Sequence, residues 1–179
     1  MRTYRINMIF MLVFVFTFVL CGVSYAKEHP RKIALPDLER YLALNVKHAV
    51  KIQSKKLAAD ILRVSHKHKI SAKLLASLVI IESSGDPKAK RSACIGLTQV
   101  NHKVWGKYLK ELGIISRRQD LFHPGKSLEA GVIVYKKYLE SFNKTRNPQK
   151  QALIAYGGSH GYYTKVKKHI NEISKSMKG

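Results

Sequence analysis

Apolar residues recur at intervals of three and four through most of this chain. Leu38, Tyr41, Leu42 and Val46 begin the pattern, and Ala49, Ile52, Leu57, Ile61, Leu62 and Val64 continue it with Lys47, Lys51, Lys55 and Lys56 on the other side. Such spacing predicts helices with one face turned to a core. After a pause at "HKHKIS", Ser71 is a suitable N-cap for an almost wholly apolar helix predicted over 72–83. "GLTQVNHKVWGKYLKELGI" reads as a short loop passing into a helix, and "SLEAGVIVYKKYLESF", "QKQALIAYG" and the end of "GSHGYYTKVKKHINEISKSM" as further helices. Between them, "GDPKAKRSACIG", "RRQDLFHPGKS" and "NKTRNP" read as loops by composition. Residues 27–36, punctuated by Pro30 and Pro36, read as a loose leader. With no internal repeat and no alternating run of useful length, the expected fold class is all-α with short loops.

The helix over 72–83 poses a chemical question, because it places its charge, Glu82, where it stops. Leu75, Leu78 and Glu82 fall at intervals of three and four and share a face. A carboxyl group pointing the way core leucines point is partly desolvated and keeps its proton nearer neutral pH. Two readings follow: a helix-end residue held by hydrogen bonds or a lysine, or a general acid in the wall of a cleft. Asp86, just before Pro87, fits a turn-forming aspartate.

Composition narrows the setting. Arg2 and Arg5 precede an apolar run from Ile9 to Val23, and Ser24-Tyr25-Ala26 supplies small residues where a signal peptidase reads. Residues 1–26 are therefore expected to be a cleaved signal peptide, with an uncleaved anchor as the alternative, and the protein to be exported to the cell envelope, periplasmic or extracellular. The chain has 179 residues, 33 Lys and Arg against 11 Asp and Glu, and a formal net charge of +22. Loss of the leader removes two of those charges and no acid. So basic a chain suits polyanions; for an exported protein these are wall polymers rather than nucleic acid. Cys21 leaves with the leader, so Cys94 stands alone and reads as a small buried hydrophobe beside Ile95. His66 and His68 are two apart, share no helix face and read as surface residues. No metal-ligand spacing appears, and neither metal nor cofactor is expected.

Four ordered motifs add what composition cannot. "IIESSGDPKA", "IGLTQVN", "DLFHPGKSLEAG" and "ALIAYGG" resemble, in order and spacing, the soluble (SLT-type) lytic transglycosylases, which fold like goose-type lysozyme. The resemblance covers about Ile70 to Val166. It implies a lysozyme-like helical domain over 70–172, preceded by a basic helical segment over 27–69 and followed by a basic tail over 173–179. It also implies peptidoglycan as substrate and a cell-envelope machine as a partner, to which the basic charge adds anionic wall polymers; membrane contact is expected only through the signal peptide. By the same resemblance Glu82 is the catalytic acid and Ser83 the serine beside it. Gly96, Leu97 and Gln99 would form the glycan-contacting loop, followed by Asn101, and Tyr156 would be the tyrosine that reaches the catalytic carboxylate. On this reading Gly96 lets backbone approach a sugar, the Gln99 amide suits sugar hydroxyls and N-acetyl groups, and the Tyr156 phenol holds the Glu82 rotamer. Trp105, Tyr162 and Tyr163 are cleft-lining or packing aromatics.

The chain departs from the family pattern at several points. Thr98 stands where a methionine is usual, Gly157 where an asparagine follows the tyrosine, and Ser127 where the third motif has asparagine. The stretch between Pro87 and Gly96 is one residue shorter than the common pattern, with Ala93 near a usual glycine. The implied reaction is cleavage between N-acetylmuramic acid and N-acetylglucosamine with a 1,6-anhydro product. A hydrolytic muramidase, drawing on Asp120 or Glu129 as second carboxylate, and a non-catalytic glycan-binding protein are the alternatives.

Overall fold

The computed structural model describes residues 33–46 and 53–177; the expected signal peptide and most of the expected leader lie outside them. Seven α-helices account for most of the described residues: α1 (Leu35–Asn45), α2 (Ser54–His68), α3 (Ala72–Ser83), α4 (His102–Glu111), α5 (Pro124–Ser141), α6 (Pro148–Gly157) and α7 (His160–Ser176). The helical expectation holds, with boundaries adjusted by local chemistry. Proline, which has no N–H to leave unpaired in a first turn, opens three helices earlier than periodicity suggests, at Pro36, Pro124 and Pro148. α7 runs on to Ser176 through most of the expected tail.

Where a plain loop is expected after α3, there is instead a small antiparallel sheet. β1 (Lys90–Arg91), β2 (Cys94–Ile95) and β3 (Val100–Asn101) lie in that order, with Arg91 opposite Cys94 and Cys94 opposite Asn101. Two-residue strands carry too little alternation to be read from sequence. A 3-10 turn (Arg118–Phe122) likewise interrupts the loop before α5.

α3 is apolar nearly all round because neighbours cover nearly all of it. Leu75, Ala76 and Val79 join Leu38 and Leu42 of α1, Ile61 and Val64 of α2, Leu128 and Val132 of α5 and Ile173 of α7 in one cluster. Leu78, on another side, joins Tyr135, Leu153, Tyr162 and Val166. A third cluster gathers the sheet, α4 and α5 around Ile95, Val100, Leu109, Leu121 and Val134. Each fully buried leucine contributes about 1.5–3 kcal/mol, so α3 is fixed along its length and the position of its last turn with it. α1 is part of this core: the Tyr41 hydroxyl meets His169 Nδ1 of α7 at 2.6 Å.

Candidate active site

α3 is capped at its start by Ser71, whose Oγ accepts from Leu74 N at 3.4 Å. At its end Ser84 and Gly85 both take left-handed backbone, with φ of 51° and 78°. The Ser84 N–H closes on Ile80 O, and a side chain at Gly85 would collide with Val46. The turn is completed by Asp86, whose Oδ1 accepts from Lys88 N at 2.8 Å. The helix therefore stops one residue after Glu82, leaving its carboxyl partly buried at the terminus.

Burial pushes the Glu82 carboxyl above the ordinary carboxylate range, while Tyr162 and Arg91 pull it partway back. Tyr162, on the first turn of α7, is 6% exposed. Its hydroxyl sits beside the Glu82 carboxyl, close enough for each to act on the other's ionisation. The contact nevertheless falls short of good hydrogen-bond geometry, and the hydroxyl makes no other bond. The Tyr156 hydroxyl, expected against Glu82, instead donates to Thr98 O at 2.9 Å. Burial raises the Tyr156 pKa and the nearby Glu82 charge raises it further, and its ring packs on Tyr162 at 6.2 Å. The phenol nearest the carboxyl is thus supplied by Tyr162. The sequence does not single out Tyr162 among the aromatics, because nothing in its pattern shows α7 folding back over the end of α3.

Gly157 explains how the ring gets there. A Cβ on Gly157 would lie 1.9 Å from Tyr162 Cγ, so only glycine admits the ring against the end of α6. The aromatic contacts continue outward from Tyr156 to Tyr138 at 6.5 Å and from Tyr138 to Trp105 at 5.3 Å. Trp105 is a packing member of this row.

The loop facing Glu82 is braced from behind. Ser83 is buried, and its Oγ donates to Val79 O at 3.0 Å and Leu97 O at 2.9 Å. Gln99 takes left-handed backbone with φ of 46°, and its Nε2 donates to Ala89 O at 3.0 Å and Gly96 O at 2.9 Å. Its donors therefore hold the loop rather than a sugar, and its Oε1 is buried without a partner. Gly96 takes left-handed backbone with φ of 80°, and a Cβ there would lie 2.0 Å from Leu121 O, so the loop packs its backbone closely against the 3-10 turn. Asn101 caps α4, with Oδ1 accepting from Lys103 N at 3.1 Å and Val104 N at 3.4 Å.

Two departures from the expected motifs touch each other. Thr98 is fully buried, and its Oγ1 donates to Ser127 O at 2.7 Å. Gly131 makes room for it, since a Cβ there would meet Thr98 Cβ at 2.5 Å. Cys94 corrects another expectation. Ile95 is fully buried, but Cys94 is half-buried on the alternate face of β2, and both burial and the Glu82 charge push its thiol up. His68 is likewise half-buried, with Nε2 unpartnered and its pKa lowered by burial.

The two acids considered as second carboxylates are engaged elsewhere. Asp120 accepts from Ser116 N at 2.7 Å and Lys126 Nζ at 2.9 Å, which hold it far below the ordinary range. Glu129 of α5 pairs with Lys67 of α2 at 2.8 Å. Among the described residues no cluster of His, Cys, Asp and Glu is arranged to hold a metal ion, and no helix is long and apolar enough to cross a membrane.

The sequence model of the Transglycosylase SLT domain matches residues 60–177, which takes in most of α2 and every later element. The chain is also 32% identical over 117 residues to "Membrane-bound lytic murein transglycosylase E" of Buchnera aphidicola subsp. Acyrthosiphon pisum, over 61% of this chain and 52% of that protein. The chain thus spans about half the length of that relative.

Proposed function

The chain belongs to the Transglycosylase SLT domain family, and from that premise we propose that it is a peptidoglycan lytic transglycosylase with Glu82 as acid and then base. The observation that carries this reading is a partly buried carboxyl group at the end of an apolar helix, flanked by a tyrosine and an arginine, while the two acids weighed as its partner are paired with lysines.

A glycosidic oxygen is a poor leaving group and needs a proton as its bond breaks. Glu82, whose hold on its proton burial strengthens, donates that proton to the oxygen between N-acetylmuramic acid and N-acetylglucosamine. The C1–O bond breaks, and the substrate's own N-acetyl group stabilises the cation that develops at C1. Glu82, now ionised, is stabilised by the Tyr162 hydroxyl and by the field of Arg91. It accepts the proton of the muramyl 6-hydroxyl as that oxygen closes on C1. The product is a 1,6-anhydro ring, Glu82 is protonated again, and no water is consumed. A hydrolase would need a second carboxylate to activate water or trap the sugar; Asp120 and Glu129, the acids weighed for that role, are committed elsewhere.

In this reading Ser83, Gly96 and Gln99 give the cleft loop its shape, and Asn101 and Tyr156 border the glycan. The protein works on the wall side of the cell envelope, and its strongly basic charge concentrates it on anionic polymer. Mass spectrometry of fragments released from purified sacculi tests the reaction. Products one water lighter than those of a muramidase, absent with Glu82→Gln, are expected. Hydrated reducing ends would establish hydrolysis instead, and no release by either protein would leave a glycan-binding role.

A further inference from the structure

β1 sets a charged group beside Glu82 whose remaining donors have no place in the chemistry above. Arg91 is exposed, opposite Cys94 in the sheet, and its Nη2 donates to the main-chain carbonyl of Glu82 at 2.5 Å. That carbonyl belongs to the last turn of α3, where acceptors are left open by the end of a helix. The bond therefore pins the guanidinium at the helix terminus. It engages one of five N–H donors. Among the described residues no carboxylate lies within ion-pair distance of Arg91; even Glu82 senses its charge without pairing.

The surroundings extend the same sign of charge. Lys88 and Lys90 are exposed on either side of Ala89, and between Asp86 and Glu111 the chain has no acid. Asp86 itself accepts from the backbone of Lys88. The surface beside the end of α3 is thus cationic, with a planar guanidinium fixed next to the acid. Such a fork with free donors matches a carboxylate, which it can bind through two parallel hydrogen bonds. The expected substrate supplies one on the sugar that is cut. Muramic acid carries a lactyl group whose acid is either free or extended by an acidic stem peptide.

We propose that Arg91 anchors a carboxylate carried by the muramyl sugar next to the bond broken at Glu82, so that the cleft favours acidic glycans over neutral glycans of the same backbone. The inference rests on the transglycosylase reading for the identity of the glycan. The lactyl acid and the stem peptide offer the same chemistry, and the ligands below distinguish them.

Binding is measured with the full chain carrying Glu82→Gln, which prevents turnover, with Arg91 intact, Arg91→Gln or Arg91→Lys. Three glycans are compared: muramyl glycan bearing stem peptides, the same glycan stripped to the free lactyl acid, and a neutral chito-oligosaccharide. Arg91→Gln is expected to weaken binding of an acidic glycan by about 10–100-fold, the range for bonds to a charged group, with partial recovery in Arg91→Lys. The chito-oligosaccharide should bind both forms within about twofold. A response from the peptide-bearing glycan alone assigns the stem, and one from the stripped glycan assigns the lactyl acid. Equal weakening of the neutral oligosaccharide would overturn the proposal by reducing Arg91 to a support of the loop, and so would no weakening of any ligand. Affinity is read without turnover, so failure of the native protein to release anhydro products would sink the enzymatic reading separately.

Discussion

Gly157→Ala sets two effects of opposite sign against each other. Gly157 ends α6 with ordinary helical backbone, so alanine there should be favoured by propensity alone, by about 0.5–1 kcal/mol. The new Cβ would sit 1.9, 2.0 and 2.5 Å from three ring carbons of Tyr162. Carbon atoms prefer about 3.5–4.0 Å, so the ring must retreat by roughly 1.5 Å. It has little room to do so, because it is packed among Leu78, Tyr135 and Val166. Overpacking of a filled core costs about 1–3 kcal/mol, which outweighs the propensity gain. For a domain of this size the net loss should lower Tm by about 2–8 °C. Thermal unfolding of Gly157→Ala, Tyr162→Ala and the double variant forms the assay. With the ring gone, alanine at 157 should become stabilising, reversing its sign. A Tm that rises in the otherwise native protein, or the same shift in both backgrounds, would refute the reasoning. Activity on sacculi should fall alongside, since the Tyr162 hydroxyl moves with its ring.

Other expectations follow from the same site. Because burial raises the folded-state pKa of Glu82 above its ordinary 4.5, ionising it weighs against the fold as pH rises through that window. Glu82→Gln should therefore raise Tm at pH 7, and the gain should shrink toward pH 4; a gain constant with pH would contradict this. Thr98→Met, which restores the common family residue, should destabilise by about 1–3 kcal/mol by overpacking against Gly131, as chemical denaturation would show. Thr98→Val should lose about 1 kcal/mol with the bond to Ser127, and a stability-neutral methionine would show that the loop readily repacks. The Cys94 thiol, pushed up by burial and by Glu82, should react slowly with iodoacetamide near neutral pH and faster in Glu82→Gln. An unchanged rate would mean that the carboxylate does not act on the thiol.

The helices were legible because each buries one stripe or, in α3, nearly its whole surface, and periodicity reports burial directly. Ser71, Asp86 and the stop after Glu82 were legible for a similar reason: caps and turns are made by neighbours in sequence. Glu82 stood out as the charge on an apolar face, and the ordered motifs linked it to a family. The three short strands escaped because two residues cannot show alternation. Gly96 and Gln99 matched the motif, yet their roles in the fold depend on Leu121 O and on the loop's own carbonyls, contacts no spacing rule encodes. Likewise, Thr98 and Ser127 look like separate departures from a pattern until the fold places them in one hydrogen bond, and Gly157 looks like a missing asparagine until Tyr162 fills its place. The sequence by itself determined the helices, their ends and the acid, since these follow from local propensity and from which faces must leave water. Which phenol meets that acid, and which cation stands beside it, depends on α7 and β1 closing on the end of α3. That closure is set by packing between residues far apart in the chain, so only the tertiary structure decided it.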